Sequence, residues 1–199
     1  MCQFLSAIVL KNSDVLWNPY TDSHEDLIAI NNLRDNNTDN FVRVEFLPES
    51  HSDYGNPNAY NLKVDQSVTP DWFDSAMQER TVEYLRGIIE RMIIKTPVTM
   101  LCGGSYILIS GAEVKHVKSC VVKVMLGSSK VGEMLDSSKV GAMLDSSKVG
   151  TMWNSSKVGT MLDSSKVGKM RGSSKVGKML NSSKVGTNKS SNATPVKTV

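Results

Sequence analysis

Seven near-copies of a nine-residue unit fill residues 128–190: SSKVGEMLD, SSKVGAMLD, SSKVGTMWN, SSKVGTMLD, SSKVGKMRG, SSKVGKMLN and SSKVGTNKS. A fixed period constrains a fold more than composition does. At about 100° per residue, nine residues sweep two and a half helical turns, so the Val and Met of successive copies on one long helix would face opposite sides. A single extended strand fails as well, because an odd period reverses its two faces at every copy. Each copy must therefore contain a bend, and the sequence offers Gly and the Asp/Asn/Gly-Ser-Ser step. Strand and bend in alternation make a solenoid, in which each coil stacks on the last and buries a continuous core. Ser, Gly and Lys are also the composition of a linker. Val, however, recurs in all seven copies and Met in six, and a disordered chain has no core to hold two apolar positions in register.

A longer period lies beneath the first. Read every 18 residues, the position after Met separates into Leu108, Leu126, Leu144, Leu162, Leu180 and a mixed series, Val117, Leu135, Trp153, Arg171. The preceding position gives Ile107, Met125, Met143, Met161, Met179, and Cys102 and Cys120 are also 18 apart. One coil is then two repeats, and the solenoid starts near residue 100, with neighbouring strands about 4.8 Å apart. In period and composition, residues 100–190 resemble nonapeptide-repeat β-solenoids, without the Gly-Gly and Asp pattern of the calcium-binding kind. The resemblance implies a rigid scaffold or binding surface of about five coils.

The net charge of +3 conceals a division. Residues 1–126 carry 11 Lys+Arg against 16 Asp+Glu, whereas residues 127–199 carry 12 against 4. Three cysteines do not make a secreted disulfide framework. The start lacks a basic signal-peptide region, and no apolar run is long enough for a membrane span. The expectation is a cytoplasmic protein that uses no membrane.

The N-terminal 96 residues read as β-β-α-β-β-α, an α+β domain that can cap the first coil. A strand over residues 3–10 turns at Lys11-Asn12-Ser13-Asp14 and returns through Val15-Leu16-Trp17. Ser23 or Asp22 caps a helix in SHEDLIAINNL, with Glu25 and Asp26 at the positive end of its dipole. Strands over 41–46 and 60–64 pair across a polar loop. Thr69-Pro70-Asp71 predicts the start of a second helix that runs to about Ile94. Pro97 forbids its continuation, so the solenoid domain spans 97–187, followed by a disordered basic tail, 188–199.

No residue set predicts a catalytic site, and no cofactor or metal is expected. His24, Glu25 and Asp26 point in different directions on a helix. Cys102, His116 and Cys120 fall short of a structural zinc set even if stacked coils bring them together. Met1-Cys2 resembles the start of class II glutamine amidotransferases, departing from their Met-Cys-Gly at Gln3. That resemblance implies Cys2 as a nucleophile in a small N-terminal enzyme.

Two surface features remain. Lys130, Lys139, Lys148, Lys157, Lys166, Lys175 and Lys184 fill one repeat position and form two ladders, a candidate contact for a polyanion, nucleic acid first. Lysine on a regular β surface also blocks edge-to-edge aggregation, which is the alternative. Leu126, Leu144, Leu162 and Leu180, with Trp153 in the sister series, are interface candidates: pointing outward they form an apolar stripe that a partner or a second copy covers. The first functional reading is a non-enzymatic interaction scaffold that forms homo-oligomers or binds a protein partner through the solenoid. The second is a nucleic-acid-binding accessory protein, and the third the Cys2 enzyme.

Overall fold

The unbroken apolar run of residues 7–10, Ala-Ile-Val-Leu, belongs inside a sheet, because both faces of such a strand must be covered. The computed structural model, which describes residues 4–34 and 39–190, places β1 (Ser6–Leu10) there, with Leu5, Ala7, Ile8 and Val9 buried. A turn with Ser13 at φ 75° returns the chain antiparallel as β2 (Val15–Leu16). α1 (His24–Ile30) begins at Ser23, whose Oγ accepts from the Asp26 N–H at 3.2 Å. That bond satisfies one of the free donors of the first turn. Leu27 packs with Ile8 and Phe41. β3 (Phe41–Pro48) and β4 (Tyr60–Val64) complete an antiparallel sheet of order β2-β1-β3-β4, in which the two predicted strands pair. β3 is internal, and even Glu45 is buried, its carboxylate 3.6 Å from Lys63 Nζ.

α2 (Ser75–Met92) is shorter than its sequence signals. Thr69, Pro70 and Asp71 precede it in turn and coil. The cap is Asp74, whose Oδ1 accepts from the Met77 N–H at 2.8 Å. That bond satisfies one of the free N–H donors of the first turn. At the far end Ile93 and Ile94 leave the helix as the first strand of the solenoid.

The chain divides into two compact units, Met1–Arg91 and Met92–Val199. The second is a β-solenoid of about five turns. Its strands are β5 (Ile93–Ile94), β6 (Val98–Cys102), β7 (Ser105–Leu108), β8 (Glu113–Lys118), β9 (Val121–Met125) and β10 (Lys130–Leu135). They continue as β11 (Lys139–Met143), β12 (Lys148–Met152), β13 (Lys157–Met161), β14 (Lys166–Gly172), β15 (Lys175–Met179) and β16 (Lys184–Ser190). Residues 188–190 thus extend the last strand; the rest of the tail expected to be disordered lies outside the described residues. Even-numbered strands form one six-stranded parallel sheet and odd-numbered strands the other. Lys130 pairs with Lys148, Lys148 with Lys166 and Lys166 with Lys184, so one coil is two repeats.

Between the sheets lies a narrow core. Val131, Val149 and Val167 stack from the even sheet and Val140 and Val158 from the odd sheet, joined by Met134, Met143, Met152, Met161 and Met170. Each fully buried side chain of this size stabilises the fold by about 1.5–3 kcal/mol. Val176, Met179 and Val185 of the last coil are only partly covered. The methionine column ends at Asn188, the register partner of Met170.

The turns explain the ninth repeat position. Asp136, Asp145, Asn154, Asp163 and Asn181 all have φ between 53° and 56°, and Gly172 has φ 66°. Asp, Asn and Gly are the residues that enter this left-handed region at least cost. The bend expected at the repeat glycine is absent. That glycine lies within the strand, and a Cβ there would stand 2.5–2.6 Å from the carbonyl oxygen one coil below at Gly150, Gly159, Gly168, Gly177 and Gly186. Close stacking of backbones, not a turn, demands it.

The register before the first perfect copy also differs from the 18-residue extrapolation. Val117 pairs with Met134, and Leu108 with Met125. These early coils are shorter than the later ones, with a β-bulge at Tyr106/Ile107 in the odd sheet. Cys102 therefore pairs with Lys118 and not with Cys120. Leu108 belongs to the methionine column of the core, where it is fully buried.

Candidate interaction surfaces

Because Val faces inward, the Lys that precedes it in each strand must face out. All seven repeat lysines are exposed. Lys130, Lys148, Lys166 and Lys184 run across the even sheet, and Lys139, Lys157 and Lys175 across the odd sheet, each in register with the next. Strand spacing fixes the interval along each row at about 4.8 Å.

Charge compensation is confined to one end. Glu113 Oε1 lies 2.5 Å from Lys130 Nζ, Glu133 Oε2 lies 3.2 Å from His116 Nδ1, and Asp136 Oδ2 lies 3.9 Å from Lys118 Nζ. All three pairs bridge β8 and the β10 coil. Among the described residues no carboxylate lies within ion-pair distance of Lys139, Lys148, Lys157, Lys166, Lys175 or Lys184. Two acids of the later coils are occupied within the turns. The Asp145 carboxylate accepts from the Gly127 N–H at 2.7 Å; that of Asp163 accepts from the Asp145 N–H at 3.3 Å and from Asn181 Nδ2 at 3.0 Å. Sequence reading missed this turn ladder, although its signal was present as an acid or amide before five of the seven Ser-Ser steps. Lys169 and Lys178 add cations to β14 and β15, and Arg171 and Lys189 to β14 and β16.

The leucine series occupies the corner by which the chain leaves the odd sheet. Leu126 and Leu144 are buried there, and Leu162 and Leu180 are partly exposed. In the opposite corner Trp153 is partly exposed, and the Arg171 guanidinium lies 4.8 Å from its ring centroid.

The second serine of each repeat is a further feature of the interior. Ser129, Ser138, Ser147, Ser156 and Ser165 are fully buried. Their hydroxyls have no hydrogen-bond partner. Their backbone N–H groups close the turns, as Ser147 does on the Leu144 carbonyl at 3.2 Å. In the coils before them the same column holds Ala112 and Cys120, both buried. The position demands a small side chain more than a hydroxyl.

The residues considered for chemistry stay apart. Cys102 is exposed, Cys120 is buried with its Sγ 3.6 Å from the Leu101 carbonyl, and His116 faces Glu133. Burial pushes the Cys120 thiol up to about 11. Among the described residues no three His, Cys, Asp or Glu side chains group to hold a metal ion. Cys2 lies outside the described residues. His24, expected to serve only the start of α1, is buried: its Nε2 lies 3.0 Å from the Val44 carbonyl and its Nδ1 3.2 Å from Asp65 Oδ2. It ties the helix to β3.

Compared with known proteins, the chain matches no family model, no curated protein and no solved structure. No described helix is long and apolar enough to cross a membrane.

Proposed function

We propose that this protein is an interaction scaffold whose solenoid binds a macromolecular polyanion through its lysine rows. One observation carries the reading: Lys148, Lys166 and Lys184 stand in register on successive coils with no carboxylate partner among the described residues. Like charges at strand spacing repel one another, and an anionic polymer laid along the row relieves that repulsion. Self-association through the leucine corner is the weaker reading, because Leu126 and Leu144 are already buried within the chain.

The test is retention of the full chain on an immobilised polyanion over a range of salt concentrations. Displaced counterions give a log–log slope of roughly 0.9 per cation engaged on duplex DNA. Replacing Lys148 and Lys166 with Ala lowers that slope by about two if both engage. Binding that ignores salt, or a slope that the substitutions leave unchanged, reduces the lysines to solubilising groups.

A further inference from the structure

The basic surface is uneven, and its unevenness selects a ligand. On the even sheet, β12, β14 and β16 carry Lys148, Lys166, Lys169, Arg171, Lys184 and Lys189 and no Asp or Glu. The corresponding odd strands, β11, β13 and β15, carry Lys139, Lys157, Lys175 and Lys178. On the even sheet's β8 and β10, Glu113 and Glu133 cancel part of the charge. The field is therefore strongest over the last three even strands.

The relief of this face matters as much as its charge. Between the lysine row and the next outward position run Gly150, Gly168 and Gly186, which must lack side chains because a carbonyl of the coil below occupies the space. One margin of this bare track is Lys148, Lys166 and Lys184, and the other is Thr151, Lys169 and Thr187. At its near end the glycine column stops, since the place one coil below Gly132 is held by Lys115, which lines an open depression there with Thr99, Glu113 and Lys130. A linear polymer can thus lie across the strands with cations on one side and hydroxyl and ammonium donors on the other.

The chemistry of that polymer follows from what the face lacks. Single-stranded nucleic acids gain much of their affinity by stacking bases on aromatic side chains. None stands on this face, and the indole of Trp153, at the corner, is covered by Arg171. An extended pyranose chain needs no such platform. The lysine row offers it one cation per strand spacing, ~4.8 Å, along its whole length. Ring hydroxyls in turn find Thr151 and Thr187. We propose that the outer face of β12, β14 and β16 binds a linear anionic polysaccharide, laid along the solenoid with its charges on the lysine row. This rests on the polyanion reading above and names the class of polymer and the face that takes it.

The experiment uses the full chain and two probes of matched charge number: a heparin oligosaccharide and an oligothymidylate, each titrated at low and at physiological salt. Two double variants are compared, Lys166→Glu with Lys169→Glu on the even sheet, and Lys157→Glu with Lys178→Glu on the odd sheet. All four positions are exposed, and far-ultraviolet spectra verify that each variant folds. The proposal expects the heparin oligosaccharide to bind about tenfold or more tightly than the oligothymidylate at equal salt. The even-sheet variant weakens heparin binding by about tenfold or more, while the odd-sheet variant stays within about twofold. Equal or tighter binding of oligothymidylate, or equal losses in the two variants, overturns this proposal and leaves the broader polyanion reading standing. Salt-insensitive or absent binding of both probes overturns both.

Discussion

The guanidinium of Arg171 lies over the indole of Trp153, 4.8 Å from the ring centre, although a full coil separates the two residues in sequence. The register brings them together: Trp153 follows Met152 at the end of the strand below, and Arg171 follows Met170, the register partner of Met152. An exposed cation over an aromatic face contributes about 0.5–1 kcal/mol. In a background with Trp17 and Trp72 replaced by Phe, Arg171→Ala should raise the acrylamide quenching of Trp153 and lower stability by about that amount. Unchanged quenching would show that the guanidinium does not shield the ring in solution.

Gly159→Ala should destabilise the solenoid far more than a surface substitution normally does, because its new Cβ would stand 2.5 Å from the Gly141 carbonyl oxygen. Forced backbone separation of this kind costs about 1–3 kcal/mol or more. Asn154→Gly is the control. Asn154 already has φ 53°, so glycine fits there and the change should stay within about 0.5 kcal/mol. Urea midpoints of the two variants decide the matter, and equal midpoints would contradict the stacking explanation.

Ser147→Ala should be neutral or stabilising, contrary to the usual result of deleting a buried polar group. The hydroxyl is fully buried and without a partner. A desolvated, unpaired hydroxyl costs about 1–3 kcal/mol, and alanine removes that penalty while leaving only a small void. A loss of thermal stability in the alanine variant would mean that the hydroxyl is satisfied in solution.

Cys120 provides a pH test. Burial raises its thiol from 9.0 to about 11. The folded chain therefore holds a proton that the unfolded chain releases first. Stability from this residue is intact below about pH 9 and is lost as pH rises toward 11. Relative to Cys120→Ala, the wild-type protein should lose stability between about pH 9 and about pH 11, measured by urea unfolding. In a Cys2→Ser background, Ellman's reagent at mildly alkaline pH should modify the exposed Cys102 and spare Cys120 until the protein unfolds.

Much of the solenoid was legible because its repeat states the packing directly. The recurrent Val and Met are the core columns, and the Asp, Asn or Gly before each Ser-Ser is the left-handed turn residue. The glycine was misread as a bend because sequence shows that a side chain is excluded without showing what excludes it. The obstacle is a carbonyl one coil away. Extrapolating the period upstream failed for a similar reason. Cys102 and Cys120 share the 18-residue interval, yet the early coils are shorter and Cys102 meets Lys118 instead. In the first unit, local capping signals narrowed the start of α1 to Ser23 or Asp22, of which Ser23 is the cap, but placed α2 too early. His24 was legible only as one of three polar residues at a helix start, whereas β3 and Asp65 enclose it. The lysine rows were visible as a pattern. The absence of acids beside them was not, because it depends on Asp145 and Asp163 being held by turn N–H groups.

Within the perfect repeats each strand pairs with the one 18 residues on, which has a consequence for how such a chain can vary in length. Losing or gaining two repeats removes or adds one whole coil and leaves every later residue on its own sheet. Losing or gaining a single repeat transfers everything downstream to the opposite sheet: the Arg171 column moves to the leucine corner, and the most basic face changes sides. Recombination within such repetitive coding sequence generates both kinds of variant. Only the even-numbered kind preserves the arrangement of charges, so copy number acts as a two-state inheritance of surface identity.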